Sequence, residues 1–526
     1  MDLVTLSRIQ FGLTIAFHFL FPPLTIGLGV VLVVLQALRL ATGKPVYTEL
    51  ARFWTRVFGL IFAVGVATGI PMEFQFGTNW ARYARFVGDI FGSPLAIEGL
   101  YAFFLESGFL ALLLFGWNRI GPRMHFVATL LVVLGAHFSA IWILVANSWM
   151  QTPAGYHLAR RVRDAAGAFQ EVRLPAGYVV QPADLPDVRA VVDDIGAAIL
   201  NPSILDRLAH TVFACWMAGS LLVAGVAAWW VLRGRHGESA RVALRVALSV
   251  AAVASLLQMV SGDATARGVS RNQPTKLAAL EGLATSRAEA SLGIAGWASW
   301  TRDADGRITG IDTRALRVPG LLSVLVSGDV LHPAAAAQTV VPGLAQLPSD
   351  DFLRRRHPGT TDAELTALRP RYWPNVPVLF QTYHIMVALG VLLTAIVLAG
   401  WWWAHTGRLF DTTSSVARGL LWLLVASPVL AQLAIQAGWF TAELGRQPWV
   451  VYEVLPTAAG TSAVVRAPQV LVSLVVFTLI YLLLGGLFLS SLRRLVHEGP
   501  AREAAAPAPP DGWRSLARKT RRQTRT

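Results

Sequence analysis

The sequence Gly438-Trp-Phe-Thr-Ala-Glu443-Leu-Gly-Arg446-Gln-Pro448-Trp449 closes an apolar run that begins near residue 417, and it adds a carboxylate and a guanidinium at its end. Charge is costly in such a place, because an ionised side chain inside a bilayer loses its hydration. Glu443 and Arg446 lie three residues apart, so one helical turn would bring them to one face. Two interpretations are open from these residues alone: a charge pair that anchors a membrane helix at the interface, or a functional pair.

The composition indicates an integral membrane protein. The 526 residues are 54% hydrophobic and only 14% charged, and the mean hydropathy is +0.51. The net charge of +14 is better explained by cytoplasmic flanking charge than by nucleic-acid binding, since the apolar segments are nearly uncharged. A single cysteine, Cys215, excludes an internal disulfide and an iron–sulfur cluster held by this chain alone, and the absence of a Cys-x-x-Cys-His motif excludes covalently attached haem.

Apolar runs long enough to cross a bilayer recur along the whole chain. They occupy about 11–38, 53–77, 95–116, 125–148, 204–232, 241–260, 378–403, 417–440 and 469–491. We therefore predict an all-α integral membrane protein with nine transmembrane helices. The first run lacks the features of a cleaved signal peptide, so we expect it to remain as a helix.

The connections between these runs predict the orientation. Four short connections are basic with little acid, and the tail after residue 491 carries nine lysines or arginines. Because cytoplasmic loops are enriched in Lys and Arg, these segments and the C-terminus are expected in the cytoplasm and the N-terminus outside, in the periplasm.

The chain divides into four parts on this basis. Residues 1–260 form helices one to six, 261–377 form a long outer loop, 378–491 form helices seven to nine, and 492–526 form a basic tail that we expect to be disordered and to contact lipid. A second outer connection, of about fifty residues, precedes Ile204. Loops this long usually carry function, and the longer one is expected to be ordered near its start and looser later.

Seven polar residues of five predicted helices fall in the outer half of the membrane. They are His18, Glu98, Glu106, His210, His384, Met386 and Glu443. Each has a structural alternative: a histidine can hydrogen-bond a neighbouring helix, a methionine can fill the core, and a buried carboxylate can be neutralised by a partner. Their convergence favours function instead. His125 and His137 do not join this group and are interpreted as structural.

Haem chemistry is compatible with this set of residues. A histidine with a methionine gives a six-coordinate electron-transfer haem, whereas a single axial ligand leaves an open iron position for dioxygen. Buried carboxylates that lead inward could supply protons.

The chain also resembles subunit I of the cytochrome bd quinol oxidases over nearly all nine helices. The motifs that carry the resemblance are Gly445-Arg-Gln-Pro-Trp449, Glu453-Val-Leu-Pro-Thr457, Met72-Glu-Phe-Gln-Phe-Gly-Thr-Asn-Trp80, Pro94-Leu-Ala-Ile-Glu98, Phe103-Phe-Leu-Glu106-Ser and Trp142-Ile-Leu-Val-Ala-Asn147. The resemblance implies that the outer loop binds quinol and that the chain holds two haems b, one low-spin and one high-spin, and one haem d.

The resemblance also implies roles for individual residues. His210 and Met386 match the axial ligands of the low-spin haem b, Glu443 matches the ligand of the high-spin haem b, and His18 matches a ligand of a high-spin haem at the oxygen-reducing centre. Further matches are Glu98 beside haem d, Glu106 on the proton path, Trp439 between haems, Arg446 near haem propionates, and Lys276 and Glu281 in quinol oxidation.

Two departures from the family pattern stand out. His384 occupies a position two residues before the methionine ligand where many members have arginine, so a propionate contact is altered or pH-sensitive. The loop after Glu281 is shorter than in long-loop members, and the connection before His210 is longer.

The sequence therefore predicts the haem-bearing subunit of an inner-membrane terminal oxidase. It would oxidise ubiquinol or menaquinol, reduce dioxygen to water, and generate a membrane potential without pumping protons. The expected partner is subunit II in a heterodimer, with small single-helix accessory subunits as further candidates and no nucleic acid. The alternatives are a proton-coupled secondary transporter and a haem b subunit that anchors a quinone dehydrogenase.

Overall fold

A computed structural model describes residues 1–164, 168–185 and 187–500, with no side chains described for 101–103 and 182. The prediction of a disordered tail falls mainly on 501–526, which lie outside the described residues. The first residues of that predicted tail continue the last helix, which ends at Glu498.

Within the described ranges, nine helical segments are long and apolar enough to cross a membrane, which confirms the predicted fold class. We number them spans 1 to 9: Leu3–Thr42, Pro45–Thr78, Gly88–Phe115, Pro122–Gln151, Ile204–Leu232, Gly237–Asn272, Val376–His405, Ser415–Leu444 and Ala467–Glu498. Span 6 runs well beyond its predicted end near residue 260, so the long loop begins as a continuation of this helix.

Two spans are irregular where candidate site residues lie. Span 1 consists of the helices Leu3–His18 and Pro22–Thr42, and the break between them places His18 at a helix end. Pro22 and Pro23 explain the break, because proline has no N–H to donate to the preceding turn. Span 3 contains a π-helical turn over Glu98–Phe103, a feature that is frequent at functional sites.

The connections contain short strands and helices. Three small antiparallel sheets, which the sequence analysis did not foresee, are built from β1 (Tyr156–Arg163), β2 (Phe169–Arg173) and β3 (Val188–Val192), from β4 (Leu292–Arg302) and β5 (Ile308–Val318), and from β6 (Trp449–Val451) and β7 (Leu455–Pro456). Short α-helices cover Ala81–Phe86, Ile195–Ile199, Pro274–Glu281, Leu321–Ser327, Pro333–Ala336, Asp350–Arg356 and Asp362–Leu368. The later part of the long loop, expected to be looser, thus also forms defined elements.

Span 5 lies at the centre of the bundle, where it contacts spans 1, 4, 6 and 8. Its approach to span 1 depends on Gly27 and Gly219: a Cβ built on Gly27 would lie 1.9 Å from the Cys215 carbonyl oxygen, and one on Gly219 would lie 2.1 Å from the Leu28 nitrogen. Small residues allow such close backbone contact between membrane helices.

The buried side chains form three main groups. The largest fills the bundle among spans 1, 2, 5, 6, 7 and 8, with Trp54 and Trp230 fully buried. A second group, around Trp80 and Trp149, lies at the end of the bundle that carries the long connections, which we call the loop end. A third group, around Leu280, packs the long loop onto span 7. The loop end therefore has its own hydrophobic core, which supports the polar side chains there.

A buried polar cluster at the loop end

Glu443 and Arg446 form an ion pair at the end of span 8. Arg446 Nη2 donates to Glu443 Oε2 at 2.5 Å, and the two side chains are only 6% (Arg446) and 15% (Glu443) exposed. The pair has the three-residue spacing expected from the sequence, because span 8 ends at Leu444 and Gly445 follows as its C-cap. Its burial distinguishes it from a solvated anchor at an interface.

Two further polar side chains complete the surroundings of Glu443. Asn147 of span 4 donates from Nδ2 to Glu443 Oε1 at 3.0 Å. Arg207 of span 5 donates to the Asn147 side-chain oxygen. Spans 4, 5 and 8 are therefore joined by one hydrogen-bonded chain from Arg207 to Arg446.

Lys276 adds a third cation beside this chain. It lies on the loop helix Pro274–Glu281, is buried, and its Nζ donates to Gln151 Oε1 at 3.0 Å, to Gln273 Oε1 at 3.1 Å and to the Ala442 carbonyl at 2.9 Å. Burial, together with the nearby guanidinium groups, lowers the pKa of Lys276 well below its usual value. Its three acceptors nevertheless match the three N–H donors of the ammonium form.

We call Asn147, Arg207, Lys276, Glu443 and Arg446 the loop-end cluster. Of these described residues, three carry positive charge and one carries negative charge. Arg446 Nε and Nη1 and Arg207 Nε are buried without a hydrogen-bond partner in the described part of the chain. Buried donors are normally satisfied, and guanidinium groups bind carboxylates in particular. The cluster is therefore suited to receive an additional anion.

The three other candidate iron ligands each pack against a glycine. A Cβ built on Gly69 would lie 3.3 Å from His18 Cε1, one on Gly262 would lie 3.4 Å from His210 Cε1, and one on Gly438 would lie 2.9 Å from Met386 Sδ. His18 Nδ1 also hydrogen-bonds Thr68 Oγ1 at 3.0 Å, and His210 Nδ1 lies 3.2 Å from Ser261 Oγ. Each ring is therefore oriented by a neighbouring helix.

These residues fit a haem better than a bare metal ion. The described residues contain no group of three or more His, Cys, Asp or Glu side chains that could hold a metal ion. A macrocycle needs only axial ligands from the protein, and its propionates are the kind of anion that the loop-end cluster can bind. His18, His210, Met386 and Glu443 would supply the axial ligands, with Arg207 and Arg446 available to propionates.

Glu98 and Glu106, eight residues apart on span 3, both face span 4. Glu98 Oε1 accepts a hydrogen bond from Ser139 Oγ at 2.7 Å. Glu106 is 8% exposed, and a Cβ built on Gly135 would lie 3.0 Å from its own Cβ. Ser139 and Asn147 are eight residues apart on span 4, about 12 Å along a helix. Span 4 therefore contacts both carboxylates and also contributes Asn147 to the loop-end cluster.

Glu281 faces away from Lys276, toward span 7. Its Oε2 accepts from the Gly293 N–H at 3.2 Å, and its Oε1 is buried without a hydrogen-bond partner among the described residues. Burial raises the pKa of Glu281 to about 7, against the opposing effects of the Gly293 N–H, Tyr383 and Arg317. His384 reaches the same place, since a Cβ on Gly293 would lie 2.9 Å from His384 Nε2 and 3.6 Å from Glu281 Oε2.

Trp439 is half-buried on span 8, and its ring lies 5.2 Å from that of Phe440. Its position one turn before Glu443 keeps it near the loop-end cluster, but neither the ring contact nor its burial assigns it a role.

The two structural histidines make the expected interhelical or backbone contacts: His125 with Gln36 and Leu113, and His137 with Val133 and Trp216.

Arg207 was not among the residues predicted from the sequence, and Asn147 had no predicted role. A signal for Arg207 was present, because it lies three residues before His210 in the first turns of an apolar span, and therefore near the same face. No comparable signal exists for Asn147, since a single amide shows its partner only when spans 4 and 8 are packed together.

Comparisons with known proteins identify the family of the chain. A family model described as cytochrome bd terminal oxidase subunit I matches residues 6–500. The chain is 33% identical over 527 residues to cytochrome bd-II ubiquinol oxidase subunit 1 of Escherichia coli, covering 92% of this chain and 94% of that one. It is also 33% identical over 505 residues to cytochrome bd ubiquinol oxidase subunit 1 of Bacillus subtilis, covering 95% and 94% of the two chains.

A solved structure shows the same fold. The bd oxidase of Geobacillus thermodenitrificans matches with a TM-score of 0.76 and 27% identity, covering 95% of this chain and 99% of that one.

Proposed function

Because the chain belongs to the family of cytochrome bd terminal oxidase subunit I, we propose that it is the haem-bearing subunit of an oxidase that transfers electrons from quinol to dioxygen. The main structural support is the loop-end cluster, in which two buried guanidinium groups retain donors without partners beside Glu443. The family membership argues against the transporter and the anchor-subunit alternatives.

The haems proposed are a low-spin haem b on His210 and Met386, a high-spin haem b on Glu443, and a haem d. His18 would hold a high-spin haem of the oxygen-reducing centre. When bound, haem supplies one-electron transfer and an iron position for dioxygen. Arg446 and Arg207 would hold propionates, Asn147 fixes the carboxylate of Glu443, and Thr68 and Ser261 orient His18 and His210. Trp439 is proposed to lie between haems.

Quinol would be oxidised at the loop end, where Lys276 and Glu281 lie, and its protons would be released there. Protons for water would reach the oxygen site from the opposite end through Glu106 and Glu98. With the loop end outside, this separation charges the membrane without a proton pump. The orientation rests on the basic connections at the opposite end, and ubiquinol and menaquinol both remain candidate donors.

The proposed assembly is a heterodimer with subunit II in the bacterial inner membrane, with small single-helix accessory subunits as further candidates. Span 9 leaves an extensive apolar surface, including Leu479, Leu482 and Leu483, available to lipid or to a partner. The names of the relatives support quinol as the donor, since two of them are described as ubiquinol oxidases.

Optical spectra of the purified protein test this proposal. We expect bands of low-spin haem b, high-spin haem b and a chlorin-type haem d. Met386→Leu should remove the low-spin band and keep the high-spin bands, because leucine cannot ligate iron. Met217→Leu, at a buried core methionine of span 5, is the matched control and should leave all bands in place. Wild-type protein without haem bands would overturn the function, and an unchanged Met386→Leu spectrum would overturn that ligand.

A further inference from the structure

The β4–β5 hairpin of the long loop lies against the exposed side of span 7. Gln381 Nε2 donates to the Gly296 carbonyl oxygen at 2.8 Å. Gln381 is three residues after Val378 and four before Ile385, and both of those side chains are exposed. Residues at these spacings share one helix face. The hairpin is therefore at the periphery of the bundle, on the surface that span 7 presents to its surroundings.

The base of the hairpin lies at the depth of the membrane boundary. Span 7 has 30 residues and is about 45 Å long, which equals the thickness of a bilayer with its headgroups. Gln381 is about 7.5 Å along the helix from Val376, where headgroups give way to hydrocarbon. Gly293 lies deeper, because a Cβ built on it would be 2.9 Å from His384 Nε2. β4 therefore begins near the hydrocarbon boundary and runs outward from it.

One face of the hairpin changes from apolar to polar along its length. Residues paired directly across two antiparallel strands share a face, and successive pairs on that face are about 7 Å apart. From the base outward, the pairs are Ala295–Leu316, Trp297–Arg314 and Ser299–Asp312. Trp297 is 58% exposed and Leu316 is 69% exposed. We call Ala295, Trp297, Arg314 and Leu316 the hairpin face, and its polarity changes in the same direction as that of a bilayer.

The side chains of the hairpin face are of the types that occur at membrane interfaces. Tryptophan is enriched there, leucine can enter the boundary of the acyl chains, and arginine binds phosphate. Arg314 Nε also lies 3.4 Å from Asp312 Oδ2, but both side chains are more than half exposed. Such an ion pair contributes little to stability, so the guanidinium can exchange it for a lipid phosphate.

The alternative is that these side chains simply face water. Isolated exposed apolar residues are common on protein surfaces. The hairpin face differs from them in two respects, because Trp297 and Leu316 lie on adjacent cross-strand pairs and because the contact with Gln381 fixes their depth. Both observations favour contact with the membrane.

The opposite face of the hairpin holds the loop helix Pro274–Glu281. Thr313 Oγ1 donates to the Gly282 carbonyl at 3.0 Å, and Arg317 Nη2 donates to the Glu281 carbonyl at 3.3 Å. These two carbonyls lie at the C-terminal end of the loop helix. A hairpin fixed to the bilayer on one face would therefore also fix the position of this helix relative to the bilayer.

We propose that the hairpin face binds phospholipid of the leaflet at the loop end. Trp297 and Leu316 lie among the acyl-chain ends next to the headgroups, and Arg314 binds a lipid phosphate. This contact holds the loop helix at the membrane surface. The inference goes beyond the proposed function, because it requires only that the bundle spans a membrane.

Quenching by spin-labelled lipid tests the contact directly. Trp297→Cys is labelled with an environment-sensitive fluorophore in the complete oxidase complex, in nanodiscs whose lipid carries a nitroxide just below the headgroup. Wild type treated in the same way measures background labelling, to which the buried Cys215 should contribute little. We expect the nitroxide to halve the fluorescence of labelled Trp297→Cys and to quench labelled Leu316→Cys at least as strongly. Ala304→Cys, in the exposed turn at the other end of the hairpin, is the matched control and should be nearly unaffected.

Two outcomes would overturn the inference. If the fluorophore of Trp297→Cys emits as it does in water and is not quenched, the hairpin face is open to solvent. If its emission is shifted to shorter wavelength but the nitroxide has no effect, another protein covers the face instead of lipid. Neither outcome affects the proposed function, which is tested separately by the haem spectrum.

Arg314→Gln tests the phosphate contact. With Arg314 present, we expect anionic spin-labelled lipid to quench labelled Trp297→Cys about fivefold more effectively than zwitterionic lipid, because arginine attracts anionic headgroups. Arg314→Gln in the same labelled protein should remove this preference. Arg302→Gln, at an exposed arginine near the tip of the hairpin, is the control and should retain it. An unchanged preference in Arg314→Gln would show that Arg314 does not bind the headgroup.

Discussion

At the scale of single residues, the loop-end cluster has to offset the loss of hydration of four charged groups. An ionised side chain taken from water costs several kcal/mol even after relaxation, and removal of one partner of a buried pair costs about 3–5 kcal/mol. Glu443 has two direct partners, Asn147 and Arg446, and Lys276 has three. Arg207 and Arg446 are only partly satisfied. Their unused donors make this cluster the place where an anionic cofactor group would contribute most to stability.

Glu281 should make the stability of the protein depend on pH. Its pKa is raised to about 7 from an ordinary 4.5, mainly by burial. The folded state therefore holds a proton that the unfolded state has lost between these pH values, and stability falls as pH rises through that range. By pH 8 the cost is on the order of 3 kcal/mol.

Thermal melting of Glu281→Gln at several pH values measures this effect. We expect the variant to melt like wild type near pH 5 and at higher temperature than wild type at pH 8, because glutamine cannot ionise. Glu289→Gln, at an exposed carboxylate of the same loop, should show no such divergence. A Glu281→Gln advantage that is constant with pH would show that ionisation is not its cause.

Local spacing predicted some of these residues and could not predict others. The Glu443–Arg446 pair follows from two positions on one helical turn, and the structure contains it. The contacts of Asn147 and Arg207 depend instead on how spans 4, 5 and 8 pack against one another. The spacing of residues within one helix does not show how that helix packs against the others.

At the scale of elements, the glycine contact between spans 1 and 5 sets the position of two candidate iron ligands. His18 precedes the contact on span 1 and His210 precedes it on span 5. A side chain at Gly219 would collide with the backbone of Gly27 and Leu28, which cannot move without separating the helices. Overpacking of this kind costs about 1–3 kcal/mol and occasionally more.

Gly219→Ala should therefore lower the melting temperature and reduce the amount of haem that is retained on purification. Gly12→Ala is the matched control, since nothing lies within 4 Å of the Cβ that it adds in the first helix of span 1. That control should be neutral or slightly stabilising, because alanine is a better helix former than glycine by about 1 kcal/mol. If both variants had the same melting temperature, spans 1 and 5 would have accommodated the added methyl group without loss of stability.

The sequence predicted all nine spans because a bilayer requires long apolar helices, and hydropathy records that requirement directly. It did not predict the small sheets of the connections. The pairing of their strands depends on backbone hydrogen bonds to partners elsewhere in the chain, such as Tyr156 with Val192. The break at Pro22 was visible in the sequence, but a run of apolar residues across it concealed the end of the first helix.

At the scale of the whole molecule, the orientation can be tested with the single cysteine of the chain. Cys215 is 2% exposed, so an impermeant thiol reagent should not react with the wild-type protein. Ala304→Cys, in the exposed β4–β5 turn, should be labelled in intact cells. Thr412→Cys, exposed between spans 7 and 8, should be labelled only after the membrane is permeabilised. The reverse pattern would place the long loop in the cytoplasm and contradict the proposed side of quinol oxidation.

The construction of the loop-end cluster also has a consequence for biosynthesis. The cluster takes Asn147 and Arg207 from spans 4 and 5, Lys276 from the long loop, and Glu443 and Arg446 from the end of span 8. A ribosome delivers these residues in that order, so Arg207 and Lys276 are synthesised before the carboxylate of Glu443, and Arg446 follows directly after it. Nascent chains that stop before span 8 have no complete site. If Glu443 holds haem as proposed, loading of that cofactor is a late step, and chains that stall earlier should be recognised by quality-control proteases as apoprotein.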